Sequence, residues 1–156
     1  MAIVGGGGPA NLVLLGVSNP RDWIIMPTRV ASCSCGQLSV TVTEDPIRVS
    51  ICHCLACQRR TGSVFGAQAR FRTRAVEVKG QSQKYVRVGD EGNRVVFHFC
   101  PNCGATVHWQ IEGREDSIAV AVGAFAEPVF PAPTVSVYEE RKHAWVTVPP
   151  QAEHLA

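Results

Sequence analysis

The chain lacks an apolar run approaching the ~18–20 residues that a membrane-spanning helix requires. The stretch from Asn11 to Val17 is mainly apolar but short, and no Lys or Arg precedes it. The positively charged start of a secretory signal is therefore missing, and a cytoplasmic location is expected. An excess of either charge is also lacking: 15 Lys+Arg against 13 Asp+Glu leave a formal charge of +2. A nucleic-acid module normally shows a strong basic excess, so no nucleic-acid partner is expected. Aromatic residues make up only 7% and charged residues 18%, yet 46% are hydrophobic, which excludes wholesale disorder. No repeat recurs at a spacing of 20–50 residues, so solenoid and propeller architectures are excluded.

What is present suits short strands and many turns. Glycine (14) and proline (10) are plentiful among 156 residues, a length that fits one domain. A chain of this size can bury roughly 68–70% of its unfolded surface. The first 25 residues stand apart, with a Gly5–Gly8 run, Pro9 and a weakly patterned stretch. They are expected to form a disordered or non-native extension. Met26 is expected to begin the working domain, 26–156, as the true or an alternative initiator.

From Arg29 onward the dominant period is two. Leu38, Val40 and Val42 alternate with polar neighbours, as do Ile47, Val49 and Ile51, and Phe65, Ala67, Ala69 and Phe71. Further candidate strands are Val76/Val78, Tyr85 to Val88, Val95/Phe97/Phe99, Thr106 to Gln110, Ile118 to Val122 and Thr134 to Tyr138. β-Branched and aromatic residues at this period predict strands with one buried face. Only Cys54 to Arg60 reads as helical, and Thr61-Gly62 ends it. The expected fold is mainly β: a single domain of antiparallel sheets with one short helix.

Seven cysteines are grouped as Cys33-Ser-Cys35, Cys52-His-Cys54-Leu-Ala-Cys57 and Cys100-Pro-Asn-Cys103. An odd count excludes complete internal pairing, and Cys33 and Cys35 are too close for an unstrained bridge. A Cys-x-x-Cys turn aims two sulfurs to one side. Gly104 can take a positive φ that turns backbone N–H groups back toward them, as can Gly36 after Cys35. Those two pairs supply the four ligands of a closed tetrahedral zinc. Cys52, Cys54 and Cys57 remain, three ligands within six residues, the number that a catalytic zinc keeps beside an open position. Two alternatives stand beside this reading: disulfides, and a second closed zinc completed by His53, His98 or His108. His98 and His108 lie in apolar strands and are expected to be core residues.

Arg59 and Arg60 follow the ligands directly. Adjacent helical positions point about 100° apart, so at least one is expected to be solvated while the other contacts a ligand carboxylate through a bidentate fork. Thr61, Gly62, Ser63 and Phe65 are candidates for a pocket wall, Gly62 equally as a helix stop and Phe65 as core. Trp109 and Trp145 are expected to be packed rather than stacked on a ligand.

The three cysteine groups, read as Cys33-Ser-Cys-Gly36, Cys52-His-Cys-Leu-Ala-Cys-Gln-Arg-Arg-Thr-Gly62 and Phe99-Cys-Pro-Asn-Cys-Gly104, resemble the glutathione-dependent formaldehyde-activating enzyme family, which includes centromere protein V. The resemblance runs from about Val30 to Trp145. It implies a mainly-β zinc fold, a structural zinc on Cys33, Cys35, Cys100 and Cys103, and a catalytic zinc on Cys52, Cys54 and Cys57. It also implies a carbon–sulfur lyase reaction joining glutathione and formaldehyde. Toward its end the chain departs from the family, with Ser136 where many members have a histidine, then Glu139-Glu-Arg-Lys142 and Trp145. A thiol-binding carrier and a structural interaction module with two closed zincs are the competing expectations.

Overall fold

A computed structural model of the chain describes residues 28–155. The extension expected over residues 1–25 lies outside the described residues. Among the described residues eleven strands form two sheets. Strands β1 (Arg29–Ser32), β2 (Ser39–Val42) and β5 (Val76–Lys79) make a three-stranded sheet in the order β1-β2-β5. The larger sheet uses β3 (Arg48–Cys52), β4 (Gly66–Arg72), β6 (Gln83–Val88), β7 (Arg94–Phe99), β8 (Thr106–Ile111), β9 (Ser117–Ala121), β10 (Val135–Val137) and β11 (Glu153–Leu155). Its order is β11-β10-β3-β4-β9-β8-β7-β6. Among the described residues one α-helix, α1 (Leu55–Thr61), follows β3, and no helix is long and apolar enough to cross a membrane.

The alternation read from the sequence sorts side chains to the two faces of the large sheet. Val49, Ala69, Phe71, Ile118 and Val120 face the small sheet and meet Leu38, Val40 and Val42 in the main core. Phe71, Leu38, Val40, Val42 and Val120 are wholly buried there. Burying each such side chain contributes about 1.5–3 kcal/mol. The opposite face carries a second, smaller cluster of Phe97, Trp109 and Ala119. Cys52 also lies on that face, through its pairing with Gly66 and the two-residue period from Gln68 and Arg70.

The sheets are mainly antiparallel, as expected, and two burial expectations need correction. The antiparallel rule holds except at β10, which pairs parallel with both β3 and β11. The long connection after β9 carries β10 back beside β3, and a crossover of that length permits the parallel direction. Ile47 is exposed because it precedes the first residue of β3. Trp145 is 72% exposed, not packed. It sits in a turn beyond the sheet, edge-on to His143, where no second layer covers it.

One glycine lets the chain leaving β5 pass close against the residues that lead into β2. Gly80 follows β5 with φ +94°, and a Cβ there would collide with the carbonyl oxygen of Gln37. That close approach lets the Gln37 side chain donate to the Gln81 carbonyl (2.6 Å) and accept from the Gln81 N–H (3.0 Å). Gly80→Ala is expected to cost about 2–3 kcal/mol, combining a strained φ with a backbone clash. Urea unfolding of the metal-loaded protein measures it as a lowered midpoint with an unchanged slope.

Candidate metal centres and the adjoining cavity

The first cysteine group is built by two turns of the same design. In the β1–β2 turn the Cys33 N–H donates to the Leu38 carbonyl (2.9 Å) and the Gly36 N–H to the Cys33 carbonyl (2.9 Å). After β7, the Cys100 N–H donates to the Ala105 carbonyl (3.0 Å) and the Gly104 N–H to the Cys100 carbonyl (2.9 Å). Gly36 (φ +79°) and Gly104 (φ +73°) supply the left-handed residue that each turn requires. The Sγ atoms of Cys33, Cys35, Cys100 and Cys103 all lie within 4.8 Å of one another. The Cys33–Cys35 and Cys35–Cys100 separations are 3.5 and 3.6 Å. A tetrahedron with Zn–S bonds near 2.3 Å has edges of ~3.8 Å, so this set fits a tetrahedral zinc.

Cys33 and Cys100 are buried, whereas Cys35 and Cys103 are exposed. Two donors already face the sulfurs: the Leu38 N–H toward Cys33 (3.3 Å) and the Gln37 side-chain amide toward Cys100 (3.1 Å). Burial pushes the Cys100 thiol up, but the Gln37 amide and the N–H groups of Cys103 and Asn102 outweigh it and hold it near 6. Such donors disperse the excess negative charge of four thiolates on one divalent ion.

The second group forms where β3 passes into α1. Cys52 is the last residue of the strand, Cys54 is the helix N-cap, and Cys57 lies in the first turn. The Cys54 sulfur accepts the Cys57 N–H at 3.4 Å, so one atom both caps the helix and joins the cluster. Gly62 (φ +66°) ends the helix, its N–H donating to the Gln58 carbonyl at 2.9 Å. The three Sγ atoms lie within 4.8 Å of one another. Hydrogen bonds from the Cys52 and Cys57 thiols hold Cys54 far below the usual thiol range. The same bond to Cys54, then that to Cys57 and burial, push Cys52 far up. The trio therefore accepts one negative charge readily and resists a second, a resistance that a bound cation removes.

All seven cysteines are free thiols. No histidine joins either group among the described residues. His53 is wholly buried, 6.1 Å from the Phe65 ring, and His98 stacks on His108 at 4.3 Å. Neither ring nitrogen of His53 has a hydrogen-bond partner, and the same holds for His108. Burial keeps His53 and His98 below the ordinary histidine range and His108 down at about 4.

The outer face of the large sheet forms a groove beside the trio. On one side of Cys57 lies a cavity of about 420 Å³ lined by Ala56, Arg59, Arg60, Tyr85, Arg87 and Phe97. On the other, a smaller cavity of about 160 Å³ contains all three thiols, with Gln68, Arg70, Trp109 and Tyr138 among its walls. Arg59 and Arg60 diverge as helix geometry requires. Arg59 is exposed, while the Arg60 guanidinium sits 4.4 Å from the Trp109 ring centroid and 5.2 Å from that of Phe97. Gly66 makes room for this arrangement: a Cβ there would meet Arg60 Nη2 and Cys57 Cβ at 3.3 Å.

The tip of the β6–β7 hairpin closes the groove from above. Asp90 accepts from Arg87 (2.8 Å) and Arg141 (2.7 Å), and the Tyr138 hydroxyl donates to Glu91 (3.3 Å). Tyr138 is held at φ +59°, a left-handed conformation that costs a non-glycine residue about 1–2 kcal/mol. Arg70, Arg87 and Tyr138 were not among the site residues expected from sequence. The alternation of β6 is the signal that would have put Tyr85 and Arg87 on the same face as Phe97. Nothing local signals Tyr138.

Fold and site together define a cysteine-rich β protein with two sulfur clusters able to hold metal ions, one of them opening on an arginine-lined groove. A family model described as glutathione-dependent formaldehyde-activating enzyme matches residues 28–141, and the chain belongs to that family. No curated protein matches the chain. Among solved structures, the crystal structure of a Rhodobacter sphaeroides protein is 24% identical, covering 65% of this chain and 91% of its own, with a TM-score of 0.49.

Proposed function

We propose that the chain is a zinc-dependent enzyme of the carbon–sulfur lyase type that adds a glutathione-like thiol to a small aldehyde such as formaldehyde. The observation that carries this reading is the convergence of Cys52, Cys54 and Cys57 on a cavity flanked by arginines. The donor set suits zinc: Cys52, Cys54 and Cys57 bring three sulfurs close enough to share one ion and would leave a position for a substrate sulfur. Zinc bound there would supply the positive charge that keeps a substrate thiol ionised at neutral pH. Cys33, Cys35, Cys100 and Cys103 hold the structural ion that ties the β1–β2 turn to the end of β7.

The chain's own residues do the rest. The 420 Å³ cavity receives the body of the thiol, where exposed Arg59 takes a carboxylate through its fork. Arg60, held over the Trp109 and Phe97 rings, supports the wall behind Cys57 and keeps positive potential beside the sulfurs. The smaller cavity, about 160 Å³, admits an aldehyde of a few heavy atoms next to the thiols. The near-neutral total charge and the seven free thiols agree with a small-molecule enzyme of the reducing cytoplasm rather than a nucleic-acid module.

Exchange NMR of glutathione and formaldehyde tests the reading. The zinc-loaded protein is expected to accelerate interconversion with S-hydroxymethylglutathione at catalytic concentrations. Glutathione binding without any change in exchange rate would leave a carrier and overturn the enzyme.

A further inference from the structure

We propose that Tyr138 is the catalytic proton donor to the aldehyde oxygen; this inference rests on the thiol–aldehyde reading above. Strand β10 ends at Val137, which pairs with Cys52. Strand alternation alone would send Tyr138 to the same side as Ser136, whose side chain is wholly buried on the core face. The left-handed turn at Tyr138 (φ +59°, ψ 44°) breaks that alternation and brings the ring to the wall of the cavity that holds the three thiols. Only one other non-glycine residue, Ala126, has a positive φ among the described residues, and it lies outside this cavity. Strain held at a cavity wall points to a side chain whose placement matters.

The ring and its hydroxyl are both positioned. The Arg141 guanidinium lies 5.2 Å from the ring centroid, and Arg141 is itself tied to Asp90 at 2.7 Å. The hydroxyl donates to Glu91 at 3.3 Å, longer than the ~2.7–2.8 Å usual for O–H···O, so the proton is oriented without being held tightly. Burial first, then the carboxylates of Glu91 and Asp90, raise the phenol above its ordinary value. It therefore stays protonated at neutral pH, the form in which it can donate.

The step balances without an oxidant or reductant. The substrate thiol loses its proton to solvent on ionisation. The sulfur lone pair forms the C–S bond, and the carbonyl π pair moves onto oxygen. That oxygen takes the Tyr138 proton, and the phenolate recovers one from water. The sum is thiol plus aldehyde giving an S-(1-hydroxyalkyl) thioether.

Tyr138→Phe keeps the ring and deletes the donor. It is expected to lower the turnover rate for glutathione and formaldehyde by about 10²-fold, the usual scale of one positioned general acid. Zinc content and the dissociation constant for glutathione should stay within about twofold of wild type. A turnover rate within threefold of wild type would overturn the proposal. So would loss of zinc or of glutathione affinity in Tyr138→Phe, because the residue would then be structural. A wild-type protein that binds glutathione but does not accelerate exchange would instead sink the underlying enzyme reading, and the proton donor with it.

Discussion

Replacing Cys54 by serine is expected to leave a folded protein that binds one metal ion fewer and accelerates thiol–aldehyde exchange no more than solvent does. The Cys54 sulfur has two roles, N-cap of α1 and member of the thiol trio, and serine separates them. A serine hydroxyl accepts the Cys57 N–H at least as well as sulfur does, so the helix cap survives. The hydroxyl does not ionise near neutral pH, so the site falls from three thiolates to two. Changing even a supporting group around a metal ligand lowers affinity by roughly 10–100-fold, and deleting a ligand exceeds that. Metal analysis should give one ion where the wild type gives two, while thermal unfolding moves by only a few degrees. Retention of both ions with full activity would mean that Cys54 is a helix cap alone. Global unfolding of Cys54→Ser would mean that this centre, too, is structural.

Cys103→Ser is expected to be far more damaging to stability, although Cys103 lies on the surface. An exposed side chain with no packing role normally tolerates substitution within about 0.5 kcal/mol. Cys103 is exposed and its neighbours Asn102 and Gly104 are exposed as well, so only a shared ion can make it matter. Binding of a structural zinc is also folding free energy, because the unfolded chain holds no preformed site. Loss of one ligand of four is expected to cost about 3–5 kcal/mol, a large part of a small domain's total stability. The check is denaturant unfolding of Cys103→Ser beside wild type stripped with a chelator; both should lose stability together. A change below about 0.5 kcal/mol would show that Cys33, Cys35, Cys100 and Cys103 do not share a structural ion.

The two substitutions separate what the two clusters do. One lies between the sheets' turns, with Cys33 and Cys100 inside the main core. The other lies on the outer face, with its sulfurs open to a groove. Disruption of the first is expected to unfold the chain, and disruption of the second to silence it.

Much of this was legible in the sequence. The thiol trio was legible because its spacing is local: Cys52, Cys54 and Cys57 lie within six residues, and a strand end followed by a helix cap brings them together whatever surrounds them. The positive φ of Gly36, Gly62 and Gly104 was legible for the same reason. Strand alternation placed Leu38, Val40, Val42, Ala69 and Phe71 in the core, because the two-residue period is a property of each strand alone. The fate of Arg59 and Arg60 was legible only as a divergence. Which of them stacks depends on Trp109 and Phe97, about 40–50 residues away along the chain.

What the sequence by itself determined is the mainly-β class, the grouping of seven thiols into four and three, and the family to which the chain belongs. What only the tertiary structure decided is which surfaces those thiols face. The parallel return of β10 beside β3, the exposure of Trp145, the Asp90 and Glu91 tip over the trio and the reversal of Tyr138 onto its cavity all depend on contacts between distant segments. Short-range spacing brings Cys52, Cys54 and Cys57 together, because neighbouring residues share one stretch of backbone, whereas Cys33 and Cys35 meet Cys100 and Cys103 only through the fold. The walls around them come from strands whose order no local pattern records.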